Sequence, residues 1–336
     1  MHYDKSRLIF DEISKASNIL INCHRGPDPD SIGSAISLSR VLSKLGKQVE
    51  IVCPTELDSR LNFLPDFKNI QPATNFKTFD FSKYDLLIFL DSSSWDMVSG
   101  DLSIPLPTKP IILIDHHLTN THFGKINLVD DKVSSVGELL FLIYSDWKIK
   151  LDNKTATALL TAIIGDTGVF RYSNTSSQTL RIAGDLLKLK ADKELIVRSI
   201  YQDVPINDLR FTGEVLRNIK LNKKHRFVWG AVPYSVLKTT DQQMNAKELA
   251  VSIFAQCTKD TDFGLLMYEK EPENLSVTFR SRSNLDVSKM ATILGGGGHK
   301  VAAGGSVHGL PFDKAVKKVI KIACKFATEN SHTFTK

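Results

Sequence analysis

The first half of the chain alternates short apolar runs with segments whose apolar residues recur at helical spacing. The runs 86–90 and 111–114 are almost wholly apolar, which is typical of parallel strands buried on both faces. The alternation predicts an α/β domain, residues 1–190, built on a doubly wound and mainly parallel sheet. Its predicted strands are 18–23, 48–52, 86–90 and 111–114, and its predicted helices are 4–17, 31–45, 135–147, 153–164 and 176–189.

The second half follows a different pattern. Residues 191–222 have helical character apart from Pro205 and show no strand signal, so this segment is predicted to be a helical linker. Residues 223–330 combine alternating segments with helical ones and are predicted to form a smaller mixed α+β domain. The predicted strands there are 226–232, 263–269 and 274–283, and the predicted helices are 246–257 and 313–327.

Composition narrows the class of protein. At 336 residues, 42% hydrophobic and 24% charged, the chain resembles an ordinary soluble globular protein with room for two cores. Its net charge of +6 suits an anionic ligand but is spread along the sequence. The four cysteines form no CxxC pair, and no apolar stretch reaches the length of a membrane span. We therefore expect a soluble cytoplasmic protein without a membrane partner.

Acidic residues and histidines cluster where predicted strands or helices end. Ligands of such sheets gather at the carboxyl ends of the strands, so these side chains are expected to meet. Two divalent ions about 3.5–4 Å apart assist phosphoester hydrolysis by activating water and neutralising charge. Four carboxylates and two imidazoles suffice for two ions if one carboxylate bridges, and imidazole favours Mn²⁺ over Mg²⁺. The candidate ligands are His24, Asp28, Asp30, Asp91, His116 and Asp166.

Each of these residues also has a structural alternative when considered alone. Asp91 could cap a helix or lie in a loop, and Asp166 could belong to a simple turn. The spacing His24-x₃-Asp28-x-Asp30 is more specific, since few structural roles need three ligands within seven residues. The joint pattern predicts a metal-dependent phosphoester hydrolase.

The motifs resemble those of the DHH phosphoesterase superfamily, in particular its NrnA-like (nanoRNase and pAp phosphatase) members with a DHH-associated C-terminal domain. The resemblance covers essentially the whole chain and rests on five motifs. Pro29 and Ser31 stand where the family often has Gly and Ala, which leaves the ligands intact. The matching segments are 24–34, Asp91, Asp115-His116-His117, 165–168 and 295–299.

The resemblance also implies a role for each residue. His24, Asp28 and Asp91 would hold one Mn²⁺, with Mg²⁺ or Co²⁺ as alternatives. A second ion would be held by Asp30, Asp91, His116 and Asp166, so that Asp91 bridges. His117 would act beside the scissile phosphate as a catalytic group, and Asp115 would orient its neighbours.

The second domain would bind the nucleotide. Alternation along 275–282 places Arg280 and Arg282 on one face, where guanidinium groups suit phosphate recognition; the alternative is a solvated strand face. The glycines Gly296, Gly297 and Gly298 would let the backbone approach a ligand closely, with His299 as a further contact. The alternatives are a flexible hinge and a structural role for His299.

The resemblance implies hydrolysis of oligoribonucleotides of about two to five nucleotides, of pAp to AMP, or of both. Absence of an interleaved basic and aromatic tract argues against long single-stranded substrates. A phosphodiesterase for linear pApA or cyclic di-AMP would carry the same motifs and stays open. A catalytically inactive nucleotide-binding regulator would have a broken ligand set, whereas all six ligands are present. A homodimer is expected from the resemblance.

Overall fold

A computed structural model describes residues 2–237, 244–283, 285–298 and 300–330 of the protein. The chain divides into two compact units, Met1–Asp203 and Val204–Lys336. The division falls inside the segment 191–222. No helix among the described residues combines the length and apolar character needed to cross a bilayer.

The first unit is built on a six-stranded sheet in which every pair of neighbours is parallel. The spatial order is β3-β2-β1-β4-β5-β6, so the chain winds outward from β1 in one direction and from β4 in the other. This arrangement confirms the predicted doubly wound sheet. The strands are β1 (Asn18–Asn22), β2 (Gln48–Val52), β3 (Ile70–Gln71), β4 (Leu86–Leu90), β5 (Ile111–Asp115) and β6 (Ile126–Val129).

Both faces of the parallel sheet are covered by apolar side chains. All residues of β4 and β5 are buried. Ile88 and Leu90 pack into one core cluster, while Leu87 and Phe89 pack into another cluster on the opposite face. Because successive side chains of a strand point to opposite faces, two cores require the continuous apolar runs seen in the sequence.

Seven α-helices accompany this sheet, together with short 3₁₀ turns at Ser59–Leu61 and Phe67–Asn69 and a π-helical turn at Arg198–Gln202. The helix α4 begins at the predicted place, where Ser135 is its N-cap. Ser135 accepts from the Glu138 amide at 3.1 Å, whereas the Glu138 carboxylate accepts from the Ser134 amide rather than from that of Ser135. The helices are α1 (Asp4–Lys15), α2 (Pro29–Lys44), α3 (Trp95–Ser99), α4 (Val136–Asp146), α5 (Asn153–Asp166), α6 (Ser177–Lys188) and α7 (Lys193–Val197).

The second unit is a mixed α+β domain, as predicted. Its sheet has the order β11-β12-β10-β9-β8-β7, and β8 pairs with β9 in parallel while the remaining pairs are antiparallel. The strands are β7 (Lys220–Asn222), β8 (Phe227–Val232), β9 (Phe263–Glu271), β10 (Asn274–Ser281), β11 (Gly297–Gly298) and β12 (Ala302–His308). The helices are α8 (Ile206–Arg217), α9 (Tyr234–Leu237), α10 (Met244–Cys257), α11 (Ser288–Ile293) and α12 (Phe312–Glu329).

The predicted helical linker is wrong in one part. Lys220–Asn222 forms a strand that pairs with Phe227–Val232 in the second sheet. Three residues are too few for a period to show in the sequence, so only the tertiary partner identifies this strand. The remaining part is helical on both sides of a break at residues 203–205.

Candidate metal centre

Three neighbouring strands of the parallel sheet end at predicted site residues. The strands β1, β4 and β5 lie side by side; His24 follows β1, Asp91 follows β4 directly, and Asp115 is the last residue of β5. The winding direction of the sheet changes between β1 and β4, which is where such sheets form a ligand crevice. The sheet topology therefore brings these side chains to one edge.

The two aspartates of the first motif are held by helix ends. Asp28 is the N-cap of α2, and its carboxylate accepts a hydrogen bond from the Ser31 amide at 3.0 Å. Asp30 lies in the first turn of α2 and is fully buried. Its two oxygens accept from the amides of Val136 at 2.7 Å and Gly137 at 2.9 Å, at the N-terminus of α4.

His24, Asp28 and Asp91 form one group whose ligand atoms lie within 4.8 Å of one another. The Nε2 atom of His24 is 3.4 Å from Asp91 Oδ2 and 3.8 Å from Asp28 Oδ1. The other ring nitrogen, Nδ1, lies 3.0 Å from the carbonyl oxygen of Arg25, which orients the imidazole. One cation could be bound by all three side chains.

Asp30, His116 and Asp166 form a second group, whose ligand atoms also lie within 4.8 Å of one another. The Nε2 atom of His116 lies 3.1 Å from Asp166 Oδ2, 3.8 Å from Asp30 Oδ2 and 3.5 Å from Asp91 Oδ1. Asp91 thus faces His24 with one oxygen and His116 with the other. This carboxylate is positioned between the two groups, as a bridging ligand would be.

The third member of the Asp115-His116-His117 motif has a different environment. The Nδ1 atom of His117 is 2.7 Å from Asp115 Oδ1. The other carboxylate oxygen of Asp115 accepts from the side-chain amide of Asn120 at 2.5 Å. Asn120 was missed by the sequence reasoning, since an asparagine in a loop carries no periodic signal. Asp115 is therefore fixed from both sides and in turn orients His117.

The electrostatics of the cluster reflect its burial and its density of charge. Burial alone would lower the pKa of His24 and of His116, but neighbouring carboxylates outweigh it and raise both pKa values well above their usual range. Burial raises the pKa of Asp166 to about 6, against the effect of its hydrogen bond with His116. Burial also opposes ionisation of Asp91, but contacts with His116 and His24 hold its pKa well below normal. A cation bound here would compete with these protons.

Two further observations at Asp91 bear on whether a metal ion fits. The Oδ1 atom of Asp91 is buried and accepts no hydrogen bond from the described residues, although buried polar atoms normally have a partner. The backbone of Asp91 has a φ of 52°, a costly conformation that is often found at functional sites. Together with the carboxylate and imidazole donors around it, this oxygen fits a divalent cation.

In the second unit, the two predicted substrate arginines have different surroundings. Arg280 lies on β10, is half-buried, and donates through Nη1 to the carbonyl of Phe279 at 3.0 Å. The predicted strand 274–283 ends early, at Ser281, so Arg282 lies beyond it and is exposed. The guanidinium of Arg282 donates to the carbonyl of Thr258.

The glycine run is more ordered than a flexible hinge. Gly297–Gly298 forms β11 and pairs with Ala303 and Gly304 of β12. A β-carbon added at Gly296 would lie 2.0 Å from the carbonyl oxygen of Gly304, so this position requires glycine. The run borders a pocket of about 450 Å³ that Lys270 also lines. His299 lies outside the described residues.

Comparison with known families agrees with this architecture. The sequence profile of the DHH family, N-terminal domain, matches residues 18–163, and the profile of the DHHA1 domain matches residues 232–329. The first match covers most of the parallel-sheet unit, and the second covers most of the mixed unit. The first unit therefore carries a DHH family N-terminal domain and the second unit carries a DHHA1 domain, which confirms the resemblance seen in the motifs.

Similar proteins include a bifunctional oligoribonuclease and PAP phosphatase, NrnA, of Thermus thermophilus. It is 29% identical over 95% of this chain and 94% of its own length. The cyclic-di-AMP phosphodiesterase GdpP of Bacillus subtilis is 25% identical over 91% of this chain, which spans 47% of GdpP. An exopolyphosphatase-related protein of Bacteroides fragilis has a similar structure, with a TM-score of 0.89, 25% identity and 96% coverage of both chains.

Proposed function

We propose that this chain is a phosphoesterase that depends on two divalent ions, with Mn²⁺ preferred and Mg²⁺ or Co²⁺ as substitutes. Its substrates would be short oligoribonucleotides, hydrolysed to mononucleotides, and pAp, hydrolysed to AMP. The observation that carries the proposal is the position of Asp91, whose two oxygens face two separate His/Asp groups. A bridging carboxylate between two ligand groups is the arrangement that binuclear phosphoester hydrolysis needs.

In this proposal the two groups divide the ligands. His24, Asp28 and Asp91 hold one ion, and Asp30, Asp91, His116 and Asp166 hold the other. When bound, the pair of ions would neutralise charge on the phosphoryl group and activate the attacking water. The chain itself contributes orientation, because Asp28 and Asp30 are each fixed by backbone amides at helix N-termini.

In this proposal His117 contacts the substrate and does not bind a metal ion. Asp115 accepts a hydrogen bond from His117 Nδ1, and the imidazole held in this way would contact a phosphate oxygen or protonate the leaving group. Asp115 is held by Asn120, so the orientation of the imidazole is set before substrate arrives.

Short substrates are supported by the NrnA relative, which is similar along nearly its whole length. We propose that the DHHA1 domain binds the nucleotide through Arg280, Arg282, Gly296–Gly298 and His299. Backbone amides at a glycine run and planar guanidinium groups both suit phosphate oxygens.

A second candidate function is hydrolysis of cyclic di-AMP or of linear pApA. The similarity to GdpP favours it, since that phosphodiesterase matches 91% of this chain. The proposed metal ligands would serve either substrate class, because both contain a phosphodiester.

One side-by-side assay separates these alternatives. The purified chain with Mn²⁺ is given a dinucleotide RNA, a longer RNA, pAp, linear pApA and cyclic di-AMP at equal concentration. We expect the dinucleotide and pAp to be hydrolysed fastest. Faster turnover of the longer RNA would contradict the short-substrate proposal, and faster turnover of cyclic di-AMP or pApA would favour the second candidate.

We also propose a cytoplasmic homodimer. All four cysteines are free, which suits a reducing compartment. The dimer is suggested by the family resemblance, and sedimentation of the purified chain would test it: a monomer at micromolar concentration would contradict it.

A further inference from the structure

Asn174 links two segments that carry candidate metal ligands. Its side-chain amide donates to the carbonyl of Asp166 at 3.1 Å and to the carbonyl of Ser134 at 3.1 Å. Asp166 ends α5, and Ser134 lies two residues before α4, whose N-terminus holds Asp30. A single amide group therefore joins the loop of one ligand to the loop that supports another.

The Asp166 segment needs such support because its backbone is unfavourable. Beyond Thr167, which follows α5, three consecutive residues have positive φ: Gly168 at 54°, Val169 at 60° and Phe170 at 63°. For a β-branched or bulky residue this region is a rare and costly one. The segment persists only if contacts hold it, and Asn174 supplies one at Asp166 itself.

The Ser134 segment, in contrast, is firmly fixed. Its amide and hydroxyl both donate to Oε2 of Glu138, at 3.1 and 2.6 Å. Glu138 is fully buried, and its carboxylate also accepts from Thr179 Oγ1 at 2.7 Å and from Gln178 Nε2 at 3.1 Å. Four donors therefore surround this carboxylate, which makes Ser134 a rigid anchor.

Both hydrogen bonds of Asn174 connect to the same group of candidate ligands. From Ser134 the chain continues into the amides of Val136 and Gly137 that bind Asp30, and from Asn174 it reaches Asp166. Asp30 and Asp166 belong to the group of His116. Among the described residues, Asn174 makes no hydrogen bond to His24 or Asp28.

We propose that Asn174 is a positioning residue that sets the distance between the Asp30 and Asp166 carboxylates, and so the affinity of one of two metal sites. This inference rests on the proposed metal centre. Partners of ligand residues typically change metal affinity about 10- to 100-fold when removed. The effect should be confined to the site of Asp30, His116 and Asp166.

The test is a calorimetric titration of the full metal-free chain with Mn²⁺, comparing the wild type with Asn174→Ala and Asn174→Asp. Asn174→Asp keeps the size of the side chain but has no amide donor. For both variants we expect one binding step to weaken about tenfold or more while the other is unchanged. Excess Mn²⁺ should restore turnover of the variants toward that of the wild type.

The matched control is Asn127→Ala, which removes another side-chain amide that donates to a backbone carbonyl of the same unit, Gly124. It should leave both Mn²⁺ affinities unchanged, and thermal unfolding of the metal-free variants measures any general loss of stability. Unchanged affinities in both Asn174 variants, or equal weakening of both steps, would overturn the inference. A wild type that binds no Mn²⁺ would instead overturn the proposed metal centre.

Discussion

The parallel-sheet edge of the first unit and the arginine–glycine region of the second unit are built in opposite ways. At the edge, Asp30, Asp91 and Asp115 are buried. Asp30 is held by backbone amides and Asp115 by the side chain of Asn120, while Asp91 lies between His24 and His116. In the second unit, Arg282 and Gly296–Gly298 are exposed. Burial and fixed geometry suit bond breaking, whereas exposure suits capture of a ligand.

Because of this difference, we expect substitutions in the two regions to change different kinetic parameters. Changes at the sheet edge should remove metal and turnover, while changes in the second unit should raise KM or weaken folding of that unit. A variant of one region with the kinetic effect expected for the other region would contradict this comparison.

The largest effect is expected for Asp91→Asn. Asparagine tolerates the positive φ of this position, so the backbone should persist while the charge of the proposed bridging ligand is lost. We expect turnover of a dinucleotide to fall by at least about 10³-fold, which corresponds to several kcal/mol of electrostatic stabilisation. Turnover is measured in stopped or coupled assays with Mn²⁺. The control is Asp185→Asn, a change at an exposed aspartate of the same unit. Near-normal turnover would exclude Asp91 as a shared ligand.

The next effect is expected for His117→Ala. Because His117 is proposed to act on the substrate, turnover should fall by about 10²-fold or more while the number of bound Mn²⁺ ions stays at that of the wild type. His117 also lies in a possible ligand group with Asp91 and His116. Loss of one bound ion in a titration would therefore show that His117 is a ligand and would refute the catalytic assignment.

A smaller and different effect is expected for Arg280→Ala. Loss of one charge-assisted hydrogen bond to phosphate, about 1.5–3 kcal/mol, should raise KM about 10- to 100-fold with kcat nearly unchanged. The exposed Arg217→Ala in the same unit is the control. A fall in kcat at constant KM would indicate a catalytic role for Arg280 and would contradict the separate roles proposed for the two units.

The smallest effect is expected on the stability of the second unit. In Gly296→Ala the new β-carbon would meet the carbonyl oxygen of Gly304, whereas in Gly297→Ala it would meet nothing within 4 Å. Overpacking typically costs about 1–3 kcal/mol, so Gly296→Ala should unfold at lower urea concentration than Gly297→Ala. Equal midpoints would mean that the glycine run is not packed as the structure has it.

The contrast between the units also explains what the sequence could predict. In the first unit, apolar runs mark buried parallel strands, and a residue after such a run must lie at the sheet edge. His24, Asp91 and Asp115 are therefore predictable from periodicity and order alone. The fold class followed from the same signal.

Other features depend on partners distant in sequence. The carboxylate of Asp30 accepts hydrogen bonds from amides more than one hundred residues away in sequence, and no local sequence pattern predicts that contact. The pairing of β12 with β10 was missed because Ala302–His308 is rich in small residues and lacks a clear alternation. The end of β10 was placed two residues late, since the sequence does not show where the ladder stops.

The central claim is that Asp91 lies between two metal ions, and diffraction from crystals of the chain soaked in Mn²⁺ tests it directly. Anomalous scattering should reveal two peaks about 3.5–4 Å apart, one beside His24 and Asp28 and one beside His116 and Asp166, with an Asp91 oxygen contacting each. A single peak, or two peaks of which neither contacts Asp91, would contradict the account.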